Sequence, residues 1–112
     1  MKLLFVGDVV GKPGRRALGD LLPGLIDQHM LDYVIVNVEN SAGGFGVTPE
    51  VMAGLDELPV DCFTSGNHIW DKKEGLALLD RHPSLLRPAN YPEENPGKGL
   101  HLGQTAGGID VA

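Results

Sequence analysis

The sequence has one cysteine, no surplus of basic residues and no long apolar run, and each shortage argues against a class of protein. Cys62 alone cannot form an intrachain disulfide, so we expect a protein of the reducing cytoplasm. Nine basic and fifteen acidic residues give a net charge of −6, which argues against binding to duplex nucleic acid, because that binding needs a basic face. The apolar run at residues 3–6 is too short for a signal peptide or a membrane span, so we expect neither.

The composition is that of a small globular domain. The chain has 112 residues, of which 42% are hydrophobic and 21% are charged, too apolar for a disordered chain. Its 16 glycines and 8 prolines are spread along the sequence as turn signals rather than gathered into a linker. We therefore predict a single domain over residues 1–112.

Apolar patterns in the first half of the chain predict two strands and two helices. A continuous apolar run at 3–6 predicts a buried strand, and the segment 33–38, rich in β-branched residues, predicts a second strand. Leucines at helical spacing predict a helix over about 13–29 that the Pro23-Gly24 pair kinks or shortens. Thr48 before Pro49 predicts the capped start of a second helix.

The second half continues the alternation with shorter elements. Residues 61–65 predict a third strand, and 85–87 a fourth. Between them we expect a helix that Asp71 caps and that ends near Pro83. Residues 89–99 form a polar loop, and the remainder forms one or two weak strands. The β-α-β-α-β-α-β order predicts an α/β fold: a parallel sheet with flanking helices packed on its faces.

Three consecutive strands of this sheet end in side chains that could bind a metal ion. Asp8 follows the first strand, Glu39 and Asn40 the second, and Asn67 and His68 the third. Ligand sites of open α/β sheets form where the carboxyl ends of parallel strands meet, so we expect these five side chains at one edge.

The donor types suit a pair of divalent metal ions that activates a water and clamps a phosphoryl group. Asp8 could hold one ion, Glu39 could bridge two, and Asn40 or Asn67 could offer an amide oxygen. His68 could then protonate the leaving oxygen or stabilise the developing charge.

Each block taken alone has a simpler interpretation. Asp8 could be a turn residue or a helix cap, Glu39-Asn40 could begin an Asx turn, and Asn67-His68 could be a tight surface turn. A dinucleotide-binding fold is a poor alternative, because the turn from Gly7 to Gly11 lacks the G-x-G-x-x-G spacing.

Three sequence blocks resemble the signatures of calcineurin-like metallophosphoesterases, and most of all the bacterial 2′,3′-cyclic-nucleotide 2′-phosphodiesterase family. The blocks are Gly7-Asp8-Val9-Val10-Gly11, Asn37-Val38-Glu39-Asn40-Ser41-Ala42-Gly43-Gly44 and Thr64-Ser65-Gly66-Asn67-His68-Ile69-Trp70-Asp71. Leu86-Arg87-Pro88-Ala89-Asn90-Tyr91-Pro92 extends the resemblance toward the end of the chain.

The resemblance implies a role for each of the five side chains. Asp8, Glu39, Asn40 and Asn67 would be metal ligands, with Glu39 bridging, and His68 would be the catalytic histidine. Two divalent ions, iron or manganese, would be the cofactors. The substrate would be a cyclic nucleotide or another small phosphodiester.

The sequence departs from the family pattern in lacking three later histidine ligands, one alone and two in a His-x-His pair. None of the four histidines, His29, His68, His82 and His101, forms such a pair. We therefore expect the first half of a metallophosphoesterase-type α/β sandwich, with impaired activity on its own. A homo-oligomer or a completing chain would cover the exposed sheet. The alternative is a non-catalytic α/β module with at most weak affinity for metal or phosphate.

Overall fold

A three-stranded parallel sheet forms the centre of the computed structural model, which describes all residues 1–112. The strands are β1 (Leu3–Val6), β2 (Tyr33–Asn37) and β3 (Cys62–Thr64), in the order β1-β2-β3. Backbone pairing places Val6 opposite Val36 and Asn37 opposite Thr64. The predicted α/β class and the parallel sheet are confirmed, and this register aligns the carboxyl ends of all three strands.

Helices α1 (Gly11–His29), α2 (Pro49–Asp56) and α3 (Lys73–Arg81) follow these strands in turn, and a 3-10 helix (Asn67–Trp70) precedes α3. The predicted start of α2 is confirmed: the Thr48 hydroxyl accepts a hydrogen bond from the Val51 N–H at 3.3 Å. A last antiparallel pair, β4 (Gly103–Gln104) and β5 (Asp110–Val111), matches the expected weak strands.

The prediction for the first helix was wrong in one respect. Helix α1 runs without interruption through Pro23 for 19 residues and starts two residues before Pro13. Proline removes one intrahelical hydrogen bond, but Leu18 and Leu22 on the inner side of this helix are buried in the core and Ile26 packs against it. Tertiary packing therefore outweighs the local preference of Pro23.

Two further predictions need correction. Residues 85–87 do not form a full strand: Leu85 makes an isolated parallel bridge to Phe63, and Leu86 another to Lys98. Asp71 does not cap α3, whose first flanking residue is Lys72, without a side-chain cap. Only one residue of the short segment after Pro83 pairs with β3, so this segment does not add a fourth strand to the sheet.

The hydrophobic core lies on one face of the sheet. Strand residues alternate between faces, and the inward set from β2 and β3 includes Val34, Val36 and Phe63, each at most 3% exposed. Buried residues from all three helices join the same cluster. All three helices therefore pack on this face of the sheet.

The opposite face is only partly covered. The segment 99–112 packs against its β2–β3 half, where Gly103 lies directly on the Tyr33 side chain. On strand β1, which is an edge strand, Leu3 and Phe5 are 43% and 55% exposed. No helix has the length and apolar character needed to cross a bilayer.

Candidate metal and phosphoester site

Asp8 and Asn40 meet where β1 and β2 end. The Asn40 Nδ2 donates to Asp8 Oδ1 at 2.6 Å, and the backbone joins the same two turns through the Gly11 N–H and the Asn40 carbonyl at 2.9 Å. Asp8 has φ +31°, a backbone conformation that non-glycine residues rarely adopt. The two turns therefore hold the Asp8 carboxylate in a fixed and strained position.

The loop after β2 folds back through glycines. Gly43, Gly44 and Gly46 all have positive φ, which explains why this turn is glycine-rich. Arg15 of α1 reaches over and donates to the Ser41 carbonyl. Helix α1 thus anchors the loop that carries Glu39 and Asn40.

Glu39 connects the second strand end to the third. Its Oε2 accepts the backbone N–H of His68 at 3.1 Å. Gly66 lies so close to both oxygens of this carboxylate that a Cβ there would overlap them. The Glu39 carboxylate therefore lies directly against the turn after β3, and a larger residue at position 66 would displace it.

The His68 ring is held by Asp71, which sequence reasoning had assigned to helix capping. His68 Nδ1 lies 2.6 Å from Asp71 Oδ2. This hydrogen bond raises the pKa of His68 above its ordinary value; the charges of Asp71, Glu39 and Asp8 add to the effect, and desolvation opposes it. The three-residue spacing in the sequence was the available signal, because side chains three apart align along a 3-10 helix.

Asn67 is the member of the predicted set with the fewest contacts. It begins the 3-10 helix and is exposed, and its side chain makes no hydrogen bond within the protein. Asp8, Glu39, Asn40 and His68 are linked by hydrogen bonds or by charge. Asn67 is placed beside them by its chain neighbours Gly66 and His68.

The donor atoms fit a hard divalent cation in part. Asn40 Oδ1 is a buried acceptor without a hydrogen-bond partner. Such an oxygen keeps its lone pairs available for a cation. Two carboxylates and two amides suit magnesium, manganese or iron better than a soft metal. Nowhere do three His, Cys, Asp or Glu side chains come together as a potential metal cluster.

These features define an α/β protein with oxygen donors gathered at the carboxyl edge of its sheet. Residues 4–112 match the sequence profile of the family described as YmdB-like protein. The chain belongs to this YmdB-like family.

Similar proteins agree with this assignment. The chain is 45% identical over 100 residues to the 2′,3′-cyclic-nucleotide 2′-phosphodiesterase of Bacillus subtilis (strain 168), covering 89% of this chain and 38% of the relative. The predicted resemblance to that family is confirmed.

Two crystal structures have the same fold with a TM-score of 0.85. A hypothetical protein from Thermus thermophilus is 44% identical, covering 96% of this chain and 41% of that one. A novel phosphatase from Mycoplasma pneumoniae is 35% identical, covering 93% and 38%. The chain thus spans about two fifths of each relative's length.

Proposed function

We propose that this chain carries part of the site of a metal-dependent phosphodiesterase that acts on cyclic nucleotides or related small phosphodiesters. The observation that carries the proposal is the convergence of Asp8, Glu39, Asn40 and His68 at one sheet edge. The printed activity of the Bacillus subtilis relative supports the substrate class.

Four residues would hold the cofactor: the carboxylates of Asp8 and Glu39 and the side-chain oxygens of Asn40 and Asn67. Two divalent ions, iron or manganese, would supply positive charge that polarises a phosphoryl oxygen and makes a water more acidic. The net negative charge of the two carboxylates would bind these ions before the anionic substrate arrives.

His68 would act on the leaving oxygen. Its Nδ1 is occupied by Asp71, so its Nε2 is the ring atom free to hold or deliver a proton. The side chain is 44% exposed, which leaves this atom accessible to a substrate. The hydrogen bond from its backbone N–H to Glu39 fixes the histidine relative to the predicted bridging carboxylate.

Substitution of Glu39 by glutamine tests the metal site. Glu39→Gln keeps the shape of the side chain and removes its charge, and we expect Mn²⁺ affinity to fall roughly 10- to 100-fold. Isothermal titration of the chain with Mn²⁺ and with Fe²⁺ under anaerobic conditions measures this. Glu57→Gln is the matched control, because Glu57 is exposed at the far end of α2.

Activity is best measured after the chain is joined to the C-terminal part of the Bacillus subtilis relative that follows the matched region. We expect this joined protein to hydrolyse 2′,3′-cyclic AMP with added Mn²⁺ or Fe²⁺, and its Glu39→Gln variant to be inactive. The isolated 112 residues should turn over slowly or not at all, because no complete ligand cluster is present. A folded joined protein that neither binds metal nor hydrolyses the substrate would refute the phosphodiesterase proposal.

We further propose that the open face of the sheet mediates association, either with another copy or with a completing chain. Leu3 and Phe5 are exposed on an edge strand whose outer backbone groups are unpaired, a combination that favours strand addition.

Size-exclusion chromatography with light scattering should show species larger than the monomer, and Phe5→Glu should shift them toward the monomer. Phe45→Glu changes another phenylalanine, which is 48% exposed, and should not shift them. A monomer at high protein concentration contradicts self-association.

A further inference from the structure

The chain contains two aspartate–histidine pairs, and their geometries differ in a way that assigns a role to Asp71. In the first, His68 Nδ1 lies 2.6 Å from Asp71 Oδ2. In the second, His82 Nε2 lies 2.8 Å from Asp56 Oδ1. A carboxylate can only accept a hydrogen bond, so the ring nitrogen facing it carries the hydrogen.

The two histidines therefore have opposite tautomers when neutral. His68 has its hydrogen on Nδ1, which leaves Nε2 as the bare nitrogen. His82 has its hydrogen on Nε2, and its Nδ1 accepts the backbone N–H of Ser84 at 3.3 Å. Both nitrogens of His82 are thus used inside the fold, where its side chain is 12% exposed. His82 is a structural residue, whereas His68 keeps one nitrogen free.

The position of Asp71 is itself well anchored. Asp71 lies between the 3-10 helix and α3, and its own backbone N–H donates to the His68 carbonyl at 3.1 Å. The next residue, Lys72, packs on Gly46 and places its Nζ 4.5 Å from the centre of the Phe45 ring. These contacts tie the segment that carries Asp71 to the glycine-rich loop after Glu39 and Asn40.

Asp71 has no competing structural task. Its side chain does not cap α3, and its hydrogen bond is to the His68 ring. The backbone of His68 is held by Glu39 and its ring by Asp71, so two carboxylates on different loops fix one imidazole.

We propose that Asp71 is a positioning residue: it selects the Nδ1–H tautomer of His68 and turns Nε2 toward the leaving oxygen of the substrate. The catalytic half of this inference rests on the proposed phosphodiesterase function, whereas the tautomer does not. Asp71 acts through His68 and needs no contact with the substrate.

Nitrogen-15 NMR of the histidine rings in the metal-free chain tests the tautomer, at a pH where both rings are neutral. We expect an N–H signal at Nδ1 of His68 and at Nε2 of His82. Asp71→Ala should move the His68 hydrogen largely to Nε2, and Asp71→Asn should not hold it at Nδ1, because an amide can donate to a bare ring nitrogen as well as accept. Asp56→Ala is the matched control and should alter only the His82 signals.

Two results overturn the tautomer assignment: a wild-type His68 with its hydrogen on Nε2, or His68 signals that Asp71→Ala leaves unchanged. Circular dichroism melting of each variant checks that the fold is retained. Because His82 reports from the same sample, a general loss of structure would alter both histidines and be recognised.

Kinetics in the joined protein described above test the catalytic half. Asp71→Ala should lower kcat roughly 100-fold with little change in KM, because a misplaced proton donor affects the reaction step more than binding. Asp71→Asn should also lower kcat, because its amide does not select the Nδ1–H tautomer. Equal kcat in wild type and Asp71→Ala contradicts the positioning role. An inactive wild-type joined protein refutes the proposed function instead, and the NMR result still decides the tautomer.

Discussion

Gly66→Ala is expected to displace the Glu39 carboxylate and to weaken Mn²⁺ binding by roughly 10- to 100-fold. A Cβ at this position would overlap both carboxylate oxygens, so the side chain must rotate away or the turn must open. Either movement breaks the hydrogen bond from the His68 N–H. Gly66 has φ −129°, which any residue can adopt, so the expected effect is steric rather than conformational.

The same change should alter the unfolding free energy by less than about 1 kcal/mol, because the displaced atoms are the end of a flexible, half-buried side chain. Urea denaturation and a manganese titration on the same samples measure both effects. Gly54→Ala in α2 is the control, since a Cβ there meets nothing within 4 Å and alanine should stabilise the helix by roughly 0.5–1 kcal/mol. Wild-type metal affinity in Gly66→Ala contradicts the placement of Glu39 in the site.

Phe63→Ala should lower the unfolding free energy by about 3–5 kcal/mol, the usual cost of emptying a core phenylalanine site. Phe63 is 2% exposed and lies on β3. Its backbone N–H donates a hydrogen bond to the Ser84 carbonyl, and its carbonyl accepts one from the Leu86 N–H, both at 2.8 Å. Its ring also contacts His82 edge-on, with the ring centres 5.7 Å apart. The cavity would therefore open between the sheet and the segment that follows α3.

Denaturation by urea with fluorescence of the single tryptophan measures this loss. Phe45→Ala is the matched control: Phe45 is 48% exposed and its ring contacts the Lys72 ammonium, so about 1 kcal/mol at most is expected. Because small domains unfold with about 5–15 kcal/mol, Phe63→Ala removes a large share of the total. Equal losses for the two variants would mean that the core is centred elsewhere.

Apolar periodicity was sufficient to predict the parallel sheet and the order of its elements. Strand β2 was clear because β-branched residues are concentrated in one short segment, and the start of α2 was clear because Thr48 and Pro49 form a local capping signal. Such features depend on a few neighbouring residues. They can therefore be read from the sequence without knowledge of distant contacts.

The errors arose where distant contacts decide the local structure. Pro23 remains inside α1 because neighbouring leucines are buried in the core. Asp71 is an exception: the His68 ring and the start of α3 are both close to it in sequence, and it bonds to His68 instead of capping α3. The second face of the sheet is partly covered by the segment 99–112. The apolar pattern of this segment is too weak to predict how it lies against the sheet.

The candidate site was predictable only as a set of positions. Parallel topology places Asp8, Glu39 and Asn67 at one edge, but the hydrogen bond between Asn40 and Asp8 and the contact of Gly66 with Glu39 depend on side-chain geometry. The metal ligands, the identity of the ions and the substrate stay predictions.

The identity of residue 40 follows from its contact with Asp8. Its amide nitrogen faces a carboxylate at 2.6 Å, so its oxygen must point the other way. An aspartate at this position would set two anions against each other across the gap between the first two strands, and like charges so close repel strongly. Asparagine gives the turn an attractive contact on one side and a free oxygen lone pair on the other. One neutral side chain thereby allows the edge of the sheet to hold donor oxygens without accumulating the charge that would force them apart.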